Sequence, residues 1–244
     1  MISTIKSILK KLAYSFKRNP FHDQKLFFTT AKGLIIFDIG AHHGETAIKY
    51  NRTFKDCDIY SFEPFSESFD ILNEKVAGYD KIKTFKSAIG NINGAVDFHV
   101  NKYSDTNSVL STHSEASHIW GNDILDTLKT IKVDCITLDN FFAELGIFQI
   151  DILKIDTQGN EFAVLEGAIK NLEKDFIKLI YLEIITLPTY ESQKHFDEIL
   201  LFLRLHNFDL YNLYNLSFTK FGELRQMDAI FLNKKFRFEL MDIK

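Results

Sequence analysis

Two short acidic stretches carry the chemistry that the chain could perform. The first runs Phe37-Asp38-Ile39-Gly40-Ala41-His42-His43-Gly44-Glu45, and the second runs Tyr60-Ser61-Phe62-Glu63-Pro64. Each begins as an apolar strand; the first enters a glycine turn and then a helix. In a doubly wound sheet such strand ends hold nucleotide-type ligands. Gly40 permits the tight turn, and Gly44 lets the helix pack close. Glu63 lies 19 residues beyond Gly44, a spacing at which an acid can accept the hydroxyl protons of a ribose. A dinucleotide needs a glycine at the middle of the turn. His42 stands there instead, a residue that tolerates positive φ but crowds a diphosphate. Asp38 would repel a diphosphate and suit an ammonium and a sulfonium. Together these features point to a phosphate-free adenosyl cofactor, S-adenosylmethionine. The plainer role for the pair is structural, with Asp38 capping the turn and Glu63 a solvated strand end.

A third acidic stretch, Asp151-Ile152-Leu153-Lys154-Ile155-Asp156, ends beside the same turn. Asp156 is a candidate for placing the acceptor or cofactor and for taking a proton, and also for capping the next helix. By strand alternation Lys154 shares a face with Asp156 and is placed to pair with an acid. Glu161 falls in the first turn of that helix, where the macrodipole favours negative charge, so a structural role is expected of it. Glu183 ends the following strand at the same edge and is a candidate acceptor contact. His42 and His43 can fill the turn, touch the cofactor or reach the acceptor. His113 and His118 are alternative acceptor-side bases. Their spacing is not that of helical metal ligands and no Cys accompanies them, so no metal is expected.

The elements that position these residues alternate between strand and helix. Strands are predicted at Leu34–Ile39, 59–62, 82–89, 95–100, 131–138, 152–155, 178–185, 208–213 and 227–233. Helices are predicted at 44–53, Ser66–Val76 with Ser66 as N-cap, after Asp139 as cap, 160–171 and 192–206. Asn91-Ile92-Asn93-Gly94 reads as a hairpin turn. This alternation implies a mostly parallel sheet with helices on both faces. Residues 102–130 are long for a loop and are expected to face the substrate.

Asp38-Ile39-Gly40-Ala41-x-x-Gly44, Phe62-Glu63-Pro64, Ser87-Ala88-Ile89-Gly90 and Leu138-Asp139 occur in order. Leu153-Lys154-Ile155-Asp156-Thr157-Gln158-Gly159-Asn160-Glu161 and Leu165-x-Gly167-Ala168 follow. The set resembles the FkbM family of methyltransferases over roughly residues 33–232. Two departures are His42, where the family usually has Asn, and Gln158, where Glu is common. The resemblance implies a Rossmann-like class I methyltransferase fold: a seven-stranded, mostly parallel α/β sheet whose antiparallel last strand is 227–233. It also implies O-methylation of a sugar, glycan or secondary-metabolite hydroxyl. The expected cofactor residues are Asp38, Gly40, Ala41, His42, His43, Gly44, Glu63, Pro64, Ser87, Ala88 and Asp156, with Ser87 and Ala88 at the adenine. The expected catalytic residues are Asp156, His42 and Glu183.

Composition sets the remaining expectations. The 244 residues are 45% hydrophobic and 25% charged, with net charge −4, which is globular and not the balance of a polyanion binder. Residues 1–30 carry six Lys/Arg and one Asp, leaving about −9 on the rest. Ile5, Ile8, Leu9, Leu12 and Phe16 recur at helical spacing up to Asn19-Pro20. This basic N-terminal appendage (1–30) is expected to dock on the methyltransferase domain (31–244) or a second copy in a homodimer, or to touch an anionic membrane surface through 1–20. No signal peptide is apparent. Cys57 and Cys135 form no CxxC and suit reduced thiols in the cytoplasm. A nicotinamide reductase is disfavoured because Lys194 stands at the wrong offset from Tyr190 for a Tyr-x-x-x-Lys pair. A nucleic-acid methyltransferase is disfavoured because no Asn/Asp-Pro-Pro-aromatic motif follows Ile155. A binding domain that has lost its chemistry remains the other alternative.

Overall fold

The computed structural model describes residues 18–121 and 123–242. The apolar repeat from Ile5 to Phe16 lies outside these residues. Asn19-Pro20 begins a helix, α1 (Pro20–Phe27): the Asn19 side chain accepts from the Phe21 and His22 amides, and Pro20 sits in the first turn. The chain then runs β1 (Leu34–Ile39), α2 (Glu45–Thr53), β2 (Cys57–Phe62), α3 (Ser66–Val76) and β3 (Ile82–Phe85). Next come β4 (Ala88–Gly90), β5 (Gly94–Asn101), α4 (Ala116–Trp120), β6 (Thr127–Thr137) and α5 (Leu138–Leu145). The last half holds β7 (Ile150–Ile155), α6 (Glu161–Glu166), α7 (Ile169–Glu173), β8 (Ile177–Ile185) and α8 (Phe196–Leu205). It closes with β9 (Phe208–Phe218), β10 (Leu224–Asn233) and α9 (Lys234–Asp242).

Seven strands form the main sheet in the order β3-β2-β1-β7-β8-β10-β9. The pairs among β3, β2, β1, β7 and β8 are parallel, and β10 is antiparallel to both its neighbours. The expected seven-stranded α/β sheet with an antiparallel final strand is therefore present. Both faces are apolar because the central strands supply both: Phe37, Ile39, Leu153 and Leu182 pack on one side. Leu34, Ile36, Ile152 and Leu179 pack on the other.

Several local expectations change. The strand predicted at 82–89 breaks at Lys86-Ser87, and its second part leaves the main sheet. β4 pairs parallel with β6, and β5 pairs antiparallel with β6, in a second sheet ordered β4-β6-β5. The turn at Asn91–Asn93 therefore joins no hairpin: the long β6 lies between the two strands, and Asn93 accepts its Thr137 amide at 2.9 Å. Ser66 is the first helical residue, not the cap, which is Phe65. The helix predicted at 160–171 is two short helices with Gly167 and Ala168 between them; Ala168 leaves the helical region at φ −114°, and Gly167 lies against the Gly90 carbonyl, where an added Cβ would come within 2.0 Å of the oxygen. Thr137 caps α5. Asp139 instead accepts from the Lys170 and Asn171 amides at 3.0 and 3.1 Å, capping α7.

Candidate functional site

At the carboxyl ends of β1, β2 and β7 the backbone forms one wall of a cavity of about 480 Å³. Gly40 turns the chain with φ +76°, and a Cβ there would fall 1.8 Å from the Asp156 carbonyl oxygen, so β1 and β7 can meet only at glycine. His42 follows with φ +46°. Its amide donates to Glu63 Oε2 at 2.9 Å, and the Phe65 amide donates to Glu63 Oε1 at 2.9 Å. The carboxyl group is thus fixed in orientation, with one lone pair on each oxygen free for a ligand. Burial pushes Glu63 up to about 7 in spite of these two bonds. His42 Nε2 lies 2.8 Å from Ser104 Oγ. Burial, then His43, lower the pKa of His42, so its ring is neutral at pH 7.

Lys154 organises the acids behind the turn. Its ammonium lies 3.2 Å from Asp38 Oδ1 and 3.5 Å from Asp156 Oδ2, and it donates to the Gly40 carbonyl at 3.1 Å. Burial opposes its charge, but Asp38 and then Asp156 outweigh that effect and hold it protonated. Burial likewise opposes charge on Asp156, yet Lys154, Gln158 and Glu183 together hold it below the usual range. The Asp156 side chain keeps 36% of its surface, and that surface opens into the cavity.

Gln158, in the turn after β7, has φ +55°. Its amide nitrogen lies 3.0 Å from Asp156 Oδ1 and 2.8 Å from Glu183 Oε2. Gln226 donates to the other Glu183 oxygen. Glu161 accepts from the Thr157 and Gly159 amides at 2.8 and 3.2 Å, which makes it the brace of this turn.

The sequence-predicted residues are largely brought together. Gly40, Ala41, His42, Glu63, Pro64, Ser87, Ala88, Asp156 and Glu183 all line the cavity. Asp38, His43 and Gly44 do not. Asp38 is fully buried opposite Lys154 in the β1–β7 register, which seals it behind the wall. It therefore does not face the cavity beside Glu63, where the sequence suggested it would meet the ammonium and sulfonium of the cofactor. His43 stacks on His42 with ring centroids 3.6 Å apart. Gly44 packs on Leu72 of α3, where a Cβ would fall 2.7 Å from Cδ1. His113 and His118 also lie off the cavity, and His113 accepts the Glu115 amide.

Residues 102–130 do reach the cavity, through Ser104–Asn107, Val109, Trp120, Ile124 and Leu125. The Trp120 indole donates to Thr189 Oγ1 at 2.8 Å, and the Arg225 guanidinium stacks on its ring at 4.4 Å. Sequence reasoning missed Gln226 and Tyr190 as site residues. Tyr190 is almost fully buried and bonds Gln158. Gln226 could have been found only from its pairing opposite Ile185 near the end of β8.

Among the lining residues Lys154 is the single lysine or arginine, against Glu45, Glu63, Asp105, Asp156 and Glu183. This donor set fits a cofactor with an ammonium and a sulfonium and opposes a diphosphate. Among the described residues no cluster of three or more His, Cys, Asp or Glu is disposed to hold a metal, and no described helix is long and apolar enough to cross a membrane.

Comparison with known proteins agrees with this geometry. Residues 38–210 match the model of the methyltransferase FkbM domain. A 2-O-methyltransferase, NoeI, of Sinorhizobium fredii (strain NBRC 101917 / NGR234) is 27% identical over 163 residues. That match covers 65% of this chain and 66% of NoeI, just under two-thirds of the relative's length. Among solved structures, an rRNA methylase from Streptococcus thermophilus superposes with TM-score 0.50 at 11% identity, covering 89% of this chain and 98% of that one. The fibrillarin pre-rRNA processing protein of Methanococcus jannaschii gives TM-score 0.50 at 14% identity, covering 92% and 74%. At these identities the two structures speak for the fold alone, that of the class I methyltransferases.

Proposed function

Since the chain belongs to the FkbM methyltransferase family, whose cofactor is S-adenosylmethionine, we propose that it methylates a hydroxyl oxygen of a sugar, glycan or secondary metabolite. The observation that carries this reading is Asp156, paired with Lys154 and open to an acid-lined cavity beside the Gly40 turn. The 2-O-methyltransferase relative supports a hydroxyl as the acceptor.

Bound S-adenosylmethionine supplies the methyl group as a sulfonium. Glu63 would hold the ribose hydroxyls, with Ser87 and Ala88 beside the adenine and Gly40–His42 against the rest of the cofactor. Asp156 accepts the proton that the acceptor oxygen loses as it takes the methyl group, and general-base help of this kind contributes roughly 10²–10⁴-fold. Residues 104–107 and Trp120 cover the acceptor side, where they position the hydroxyl and exclude water. His42, neutral and bonded to Ser104, ties this cover to the cofactor turn. The reading places the enzyme in the cytoplasm, where its two buried cysteines stay as free thiols.

Calorimetry tests the cofactor half of the reading. S-adenosylhomocysteine is expected to bind at micromolar strength and NAD not at all, and Glu63→Ala is expected to weaken binding by about 1.5–3 kcal/mol. Incubation with labelled S-adenosylmethionine and fractionated glycans and metabolites, followed by mass spectrometry, tests the acceptor half. Failure to bind S-adenosylhomocysteine, or label appearing only on nitrogen or carbon, overturns the proposal.

A further inference from the structure

Asp156 and Glu183 lie at the ends of neighbouring strands, and one amide nitrogen joins them. Gln158 Nε2 is within hydrogen-bond reach of both, 3.0 Å from Asp156 and 2.8 Å from Glu183. Gln158 is itself held from three directions. Its backbone occupies the left-handed turn. Its carbonyl accepts from Ser108 Oγ at 2.7 Å. Its side-chain oxygen faces the Tyr190 hydroxyl at 3.1 Å, and that hydroxyl also lies 2.9 Å from the Thr106 carbonyl. The amide therefore cannot leave the two carboxyl groups without disturbing the residues that cover the acceptor side.

Charge does not balance here if every acid is ionised. Lys154 reaches Asp38 and Asp156. Among the described residues no lysine, arginine or histidine forms an ion pair with Glu183. Two carboxylates sharing one small site do not both ionise.

We propose that Asp156 and Glu183 hold one proton between them, carried by Glu183, with Gln158 as the positioning residue that divides their roles. Asp156 is then the open proton acceptor, and Glu183 is a neutral group that steadies it. The proposal deepens the methyl-transfer reading and rests on it. In the step itself the acceptor's O–H bond breaks and its O–CH₃ bond forms as the methyl group's bond to the donor sulfur breaks. The proton passes to Asp156, the sulfur keeps the electron pair and would leave as the neutral thioether S-adenosylhomocysteine, and Glu183 keeps its own proton throughout. Lys154 on β7 and Asp38 on β1 lie behind Asp156. The titratable groups around Glu183 are Glu161 on α6, Asp228 on β10, and Tyr181 and Tyr190 on and after β8; its other oxygen accepts from the uncharged Gln226 amide, which brings no counter-charge. Burial, then Asp156, Glu161 and Asp228, push Glu183 well above its ordinary value.

The test is a carbon-13 NMR titration of the Asp and Glu carboxyl groups in the full chain without cofactor, read on wild type, Glu183→Gln and Gln158→Met. Wild type is expected to show Asp156 titrating below the usual carboxylate range and a partner step above it. Burial also pushes Glu63 and Glu161 up to about 7 and raises Asp38 and Asp228, so the variant makes the assignment: Glu183→Gln should abolish the partner step and leave Asp156 low. Gln158→Met should raise the Asp156 step by about one pH unit, the tenfold value of a lost charge-assisted hydrogen bond. If wild-type Asp156 and Glu183 both titrate in the ordinary range, or the upper step survives Glu183→Gln, the proposal is wrong. Wild-type binding of S-adenosylhomocysteine, measured by calorimetry, reports separately on the methyl-transfer reading.

Discussion

Lys154 touches three oxygens, those of Asp38, Asp156 and the Gly40 carbonyl, from a position in mid-strand with almost no exposure. Replacing it by Met would strand the buried Asp38 and leave the half-open Asp156 without its partner, an effect of about 3–5 kcal/mol that comes chiefly from Asp38. Adding Asp38→Asn should recover part of that loss, and urea denaturation of the single and double variants measures it. Glu161 offers a second check at this scale. Burial pushes its carboxyl from 4.5 up to about 7 in the folded chain. An acid of this kind is protonated in both states below 4.5, so it costs nothing there, and above 7 it must be ionised in the fold. Stability is therefore expected to fall as pH rises from about 4.5 to 7, by on the order of 3 kcal/mol. The measurement is a set of melting curves across that range, and Glu161→Gln should flatten the slope. The sequence showed these residues unequally. Strand alternation was enough to put Lys154 and Asp156 on one face. It could not say that Asp38 is sealed behind Lys154, because that depends on the β1–β7 register, which no local pattern encodes.

The site depends on two glycine contacts between elements. Gly40 brings β1 against β7, and Gly167 brings the α6–α7 break against β4. Gly40→Ala combines a left-handed φ with a backbone clash and is expected to destabilise the fold by more than about 3 kcal/mol. S-adenosylhomocysteine affinity should fall with it, since the turn and Glu63 share the His42 amide. Chemical denaturation alongside calorimetry checks both effects. Most strands of the main sheet could be read from composition, because a parallel sheet buried on both faces is written as short apolar runs such as Leu34–Ile39. The second sheet was less legible. Asn91-Ile92-Asn93-Gly94 has the chemistry of a hairpin turn, but the partner of β5 is a strand that begins 26 residues after it ends. The segment 160–171 has helical periodicity throughout, yet it breaks at Ala168, beside a Gly167 whose close approach to Gly90 no local pattern shows.

At the scale of the molecule, the cavity joins two parts of the chain. The main sheet contributes the turn, Glu63 and Asp156, while residues 104–125 contribute the opposite wall. Ligand binding to the folded state alone raises stability, by about 2.7 kcal/mol at a hundredfold excess over Kd. A thermal shift with S-adenosylhomocysteine and none with NAD is the expected outcome, and fluorescence melting checks it. The covering wall is anchored through Ser108 and Thr106 to Gln158 and Tyr190, through Ser104 to His42, through Trp120 to Thr189, and through backbone bonds of Ser111 and His113 to Glu191 and Thr189. These anchors fall on a small set of partners, His42, Gln158 and residues 189–191, which makes the segment a transplantable cassette. Grafting the 102–126 segment of a relative onto this sheet, with Ser104, Ser108 and Trp120 kept, would change which molecules are marked while the nucleoside grip stays the same, so selection could rewrite acceptor choice without reopening the half that holds the cofactor.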